Sequence, residues 1–123
     1  MDISKLPIQI ADPIRQAEKN ILKSTPKSYY DLSWPNGIPS LRNMTHKDPL
    51  SKVLFTIIKY PNMNWCHIYK NCGLKYFQGD YIQFAHFAGL ITNKVPKTYK
   101  GSNPGYRITS LGLNVLKQNG LID

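Results

Sequence analysis

Ile82-Gln83-Phe84-Ala85-His86-Phe87-Ala88-Gly89-Leu90-Ile91 is the stretch on which the fold turns. Its first half carries apolar residues at helical spacing, and Gly89 is the residue that can take the left-handed conformation ending a helix. Leu90-Ile91 then starts a strand without a linker. Downstream, Gly105-Tyr106-Arg107-Ile108-Thr109 reads as the returning strand of a hairpin whose loop runs from Lys94 to Pro104. Thr109 can cap a last helix, about 110–119, with Leu111, Val115 and Leu116 inside and Gly120 at its end.

Upstream, the signals are again helical. Asp48-Pro49 pairs a capping residue with proline at the first helical position. Leu50, Val53, Leu54, Ile57 and Ile58 share one face, so a helix is expected over about 49–59, closed by Pro61. Asn64 can cap a second helix, about 65–72, with Trp65, Ile68 and Cys72 turned inward and Gly73 as a left-handed stop. Leu74 is the apolar residue of the turn. A third helix over 75–88 would bury Tyr81, Ile82, Ala85 and either Phe84 or Ala88. The order helix, helix, helix, hairpin, helix predicts an α+β, mostly helical fold. Specifically, it is that of a winged helix-turn-helix: a three-helix core plus a β-hairpin wing and a C-terminal helix, spanning 48–123.

Residues 1–47 form an N-terminal helical arm in this reading. Asp12 caps, Pro13 opens the helix, and Ile14, Ala17, Ile21 and Leu22 supply an apolar face over about 13–24. Residues 25–47 are expected to be irregular, since Pro26, Pro35 and Pro39 interrupt them and Trp34-Pro35-Asn36-Gly37 is a turn signal. Tyr29, Tyr30, Leu32, Trp34, Ile38 and Leu41 are nevertheless too apolar for a free linker. They imply packing against the C-terminal domain or a second subunit, and a homodimer through the arm is the resulting hypothesis.

The 123 residues carry 16 Lys+Arg against 7 Asp+Glu, a formal charge of +9 that attracts polyanions at long range. Residues 1–47 hold net +3 and residues 48–123 net +6, so most of the excess lies with the hairpin and its helices. No apolar run is long enough for a membrane helix, and no signal peptide is visible. Cys66 and Cys72 point to different sides of one helix, so free thiols in the cytoplasm are expected, with nucleoid association if the chain binds DNA.

Trp65-Cys66-His67-Ile68-Tyr69-Lys70-Asn71-Cys72-Gly73-Leu74, then Tyr81-Ile82-Gln83-Phe84-Ala85, Gly89-Leu90-Ile91, Gly105-Tyr106-Arg107-Ile108-Thr109 and Gly112 together resemble archaeal winged-helix proteins, including the small Sulfolobus chromatin-type group. The resemblance spans about 49–119. It implies double-stranded DNA binding and a role in transcriptional regulation or DNA architecture, in an archaeon or one of its mobile elements. The coiled-coil heptads through which chromatin-type members dimerise are absent from this sequence.

With Tyr81, Ile82 and Ala85 inward, helical spacing turns Lys75, Tyr76, Gly79, Asp80 and Gln83 outward. Gln83 or Gln78 could pair with adenine, Lys75 could reach guanine or phosphate, and Tyr76 could donate to phosphate. Asp80 is awkward there, because a carboxylate facing DNA repels phosphate unless it accepts from cytosine. The hairpin carries Lys94, Lys97, Lys100 and Arg107 with Tyr99 between them, a set suited to phosphate or minor-groove contact. Lys70 and Asn71 could touch the backbone from the second helix.

Other chemistry is poorly supplied. Cys66, His67, Cys72 and His86 lack zinc-ligand spacing, and the cysteines read as small buried hydrophobes, so no metal is expected. No phosphate loop, dinucleotide fingerprint or carboxylate pair occurs, so neither a cofactor nor catalysis is expected. Eight Tyr, four Phe and two Trp could build a stacking platform for single strands, although most sit at core spacing. Phe87 together with Phe84 could exceed what one small core hides, and such a surplus would favour a dimer or partner contact. The alternative to DNA binding is a winged-helix protein-docking module without DNA contact, with RNA binding a third option.

Overall fold

Asp12 starts the first helix as its neighbours predict: its Oδ1 accepts from Arg15 N at 3.0 Å, with Pro13 at the first helical position. The computed structural model describes residues 12–34, 37–73, 80–94 and 105–123. Within them lie α1 (Pro13–Ser24), α2 (Lys27–Ser33), α3 (Pro49–Lys59), α4 (Trp65–Asn71) and α5 (Tyr81–Ala88). The strands β1 (Ile91–Thr92) and β2 (Arg107–Ile108) and the helix α6 (Ser110–Gln118) follow. The architecture is α+β and mostly helical, with one two-stranded antiparallel sheet pairing Ile91 with Ile108 and Thr92 with Arg107.

Ile14, Ala17 and Ile21 of α1 join the same apolar cluster as Val53, Leu54 and Ile57 of α3, Phe84 and Ala88 of α5, and Val115 and Leu116 of α6. The helix α1 lies across α5 and α6, while α3 meets α4, α5 and β2. Polar ties hold these contacts in register. Asn20 Nδ2 donates to Ala88 O at 2.9 Å, and the amide of Asn119 receives Met44 N at 2.9 Å while donating to Leu41 O at 3.0 Å. Arg42 and Glu18 make a surface ion pair at 2.8 Å. It raises the Arg42 pKa through its hydrogen bond and charge but adds little stability in water.

Residues 25–47 are not wholly irregular, because two turns of helix, α2, fit between Pro26 and Pro35. Leu22 does not belong to the core face and is 79% exposed. It sits about 80° around the helix from Ile14, beyond the stripe that α5 and α6 cover. Trp65, expected inward, is 59% exposed, and Cys66 is exposed while Cys72 is buried. Asp48 occupies the N-cap position of α3, yet its carboxylate accepts from Thr45 N at 2.7 Å instead of capping that helix. Phe87 is half-buried, with its ring edge-on to Tyr29 at 5.4 Å. Both Phe84 and Ala88 are buried.

Among the described residues the third helix begins at Tyr81, and residues 75–79 of the expected helix lie outside them. Asp80 has non-helical backbone angles, and its Oδ1 accepts from Gln83 N at 2.9 Å, so it is the N-cap. At the far end Gly89 takes φ +80° and its N–H bonds back to α5, as expected.

Candidate nucleic-acid interface

Tyr69 on α4 connects the second helix of the expected pair to the third. Its hydroxyl donates to Asp80 Oδ1 at 3.1 Å and accepts from Ile82 N at 3.1 Å. Two of the N–H groups that a helix start leaves without intrahelical partners are thereby satisfied, Gln83 N by Asp80 and Ile82 N by Tyr69. Tyr29 OH also reaches Asp80 O at 3.3 Å. Asp80 is thus a structural junction through its Oδ1 and backbone carbonyl, while its half-buried carboxylate also borders a cleft. Burial, with the Asp80 charge adding to it, pushes the Tyr69 hydroxyl far above the usual tyrosine range, and burial raises Tyr81 and Tyr106 as well.

This junction has a testable consequence. Asp80→Ala should cost about 0.5–2 kcal/mol, the range for losing an N-cap, with Asp80→Asn largely restoring it in urea unfolding. The raised tyrosines fix the sign of the alkaline response. Their neutral forms are favoured in the fold, so the stability they contribute is present below about pH 10 and declines above it, as the unfolded chain ionises first. Tyr69→Phe should lower stability at neutral pH yet flatten that alkaline decline. An unchanged pH profile would contradict the assigned role.

Lys94 N bonds Thr92 Oγ1 at 3.2 Å, and Lys94 O accepts from Arg107 Nη2 across the strands. Arg107 Nε is buried without a hydrogen-bond partner among the described residues. Arg107 is therefore half spent on holding the strand ends together, whereas Lys94 is exposed. Tyr106 pairs with Met63 in an isolated antiparallel bridge, Tyr106 N to Met63 O at 2.9 Å and Asn62 N to Tyr106 O at 3.0 Å. Gly105, at φ +74°, permits this approach, since a Cβ there would stand 2.8 Å from Met63 N.

Lys70 is exposed on α4, and Asn71 turns its amide back to His67 O at 2.7 Å. The Gln83 side chain reaches a cleft of about 540 Å³ that it shares with Trp65, Tyr69, Asp80, Ile82 and Tyr106. Lys75, Tyr76, Gln78, Lys97, Tyr99 and Lys100 lie outside the described residues. Sequence reasoning missed exposed Trp65 and half-buried Tyr106 as the aromatics lining this cleft. Met63 and Tyr106 are 43 positions apart, and no periodicity signals their bridge. Among the described residues no group of three or more His, Cys, Asp or Glu could hold a metal ion, and no helix is long and apolar enough to cross a membrane. No protein-family model, curated protein or solved structure matches this chain.

Proposed function

We propose that the chain is a winged-helix nucleic-acid-binding protein that engages double-stranded DNA, as a transcriptional regulator or an architectural protein. In this reading α4 and α5 form the helix-turn-helix pair, and the connection between β1 and β2 is the wing. One observation carries it: from Lys94 to Arg107 the sequence has four cations and no acid, and its two ends are held together, Arg107 by pairing with Thr92 in the sheet and Lys94 by the hydrogen bond its carbonyl accepts from Arg107. A cationic segment held at both ends suits phosphate contact, with Lys70 on α4 as a further contact. Gln83, in the first turn of α5, is the base-reading candidate among the described residues.

A second reading, docking of a protein partner or a second copy through the N-terminal segment, is supported by Leu22, Leu32 and Ile38, which are 79%, 84% and 44% exposed. Charge reversal separates the two. Lys94/Lys97/Lys100→Glu should abolish binding to a random-sequence duplex at moderate salt, while Lys19/Lys23/Lys27→Glu on the arm leaves most of it. Equal losses from both sets would show only non-specific attraction by net charge and count against the wing.

A further inference from the structure

Trp65 is exposed at the mouth of a cleft, unlike Trp34, which is buried in the core. The cleft's volume of about 540 Å³ is that of a small-molecule site. Its described lining is three aromatic rings (Trp65, Tyr69 and Tyr106), the Ile82 side chain, one amide (Gln83) and one carboxylate (Asp80). There is no cation in that set. Among these described residues a phosphate meets only the Asp80 carboxylate, whereas Lys70, exposed on the same helix as Trp65 and Tyr69, is a cation that can meet one.

The lining matches a planar, uncharged ring with hydrogen-bonding edges. Aromatic faces stack on any base, and the Gln83 amide can both donate and accept. Asp80 Oδ1 is occupied by Tyr69 OH and Gln83 N, so Oδ2 is the oxygen left to accept from an exocyclic amine or ring N–H. The walls are also fixed before any ligand arrives. The bridge between Tyr106 and Met63 holds one wall, Asn64 caps α4 beside Trp65, and the Tyr69–Asp80 bond holds the third. A preformed site avoids the ordering cost that weakens binding by mobile aromatics.

We propose that this cleft takes an unpaired nucleobase, from a single strand or a locally opened duplex, while cations outside it, Lys70 of the same helix among them, hold the phosphates. The inference rests on the nucleic-acid reading above and narrows it: the protein would favour unpaired over fully paired DNA at this site.

The test uses the full chain, a mixed-sequence DNA single strand and the blunt duplex containing it, at one salt concentration. Tryptophan emission should be quenched by the single strand, and the quench should vanish in Trp65→Leu, where only the buried Trp34 still emits. Losing one base stack weakens binding by about 5- to 150-fold. Trp65→Leu should therefore weaken single-strand binding by about tenfold or more, with duplex affinity unchanged. Gln83→Ala keeps the reporter and should lower single-strand affinity without removing the quench. Circular dichroism of both variants checks that they fold. Absence of quench with unchanged single-strand affinity in Trp65→Leu, alongside intact duplex binding, overturns the base site and leaves the wider reading standing. Equal losses on both DNA forms would place Trp65 against the backbone and also overturn it. If neither form binds at low salt, both readings fall.

Discussion

Gly112→Ala should unfold much of the population at moderate urea, because no space exists for a methyl group there. A Cβ on Gly112 would overlap Leu90 O and stand 2.8 Å from Ile108 Cδ1. Flexible side chains yield to such a group, but Leu90 O is backbone, and it already accepts from Thr109 N at 2.9 Å. Relief requires moving α6 away from the strand pair. That would break the bond to Thr109 and loosen the Thr109 hydroxyl, which caps Gly112 N at 3.0 Å and donates to Gly89 O at 2.6 Å. Overpacking costs typically about 1–3 kcal/mol, more where backbone must shift, and a lost hydrogen bond adds about 1 kcal/mol. The expected loss therefore exceeds about 3 kcal/mol, a large share of the roughly 5–15 kcal/mol that holds a domain together. Urea unfolding checks this, and a loss below about 1 kcal/mol would contradict the close approach of α6 to the sheet.

Phe84→Ala has the second large effect. Phe84 is buried at the centre of the core, with its ring at 5.8 Å and 73° to Trp34, which also meets Tyr81 at 4.8 Å. Removing the buried ring leaves a cavity in the core, at a cost of about 3–5 kcal/mol. The contact also ties the N-terminal segment to α5. A double-mutant cycle of Trp34→Ala and Phe84→Ala should show a coupling of about 0.5–1.5 kcal/mol, the worth of an edge-to-face pair. Strict additivity would mean that Trp34 does not dock on Phe84 in solution.

What could be read in the residues follows from how local each signal is. Asp12, Asn64 and Thr109 act as caps as expected, since a cap involves residues two or three positions away. Gly89 and Gly120 have positive φ for the same local reason. The helix α2 was invisible because seven residues between prolines give too few turns for a periodic pattern. The capping role of Asp80 does not show in the spacing, because the Tyr69 hydroxyl that completes the cap comes from another helix. Trp65 shares a face with Ile68 by spacing alone, but only Ile68 meets the core, and Trp65 borders the cleft. Of the candidate interface, Lys70 and Lys94 are exposed as expected, while Asn71 and Arg107 spend side-chain groups on backbone carbonyls. Side-chain availability depends on tertiary partners, which no spacing rule supplies.

The most direct test of the account is binding of the full chain to a random-sequence DNA duplex by fluorescence anisotropy across a salt series. Each phosphate neutralised contributes about −0.9 to the log–log slope. A wing and α4 contact using Lys70, Lys94, Lys97 and Lys100 predicts a slope of about −3 to −4, reduced to about −1 in Lys94/Lys97/Lys100→Glu. No binding at low salt, or a slope unchanged by the reversal, would contradict DNA engagement through the wing.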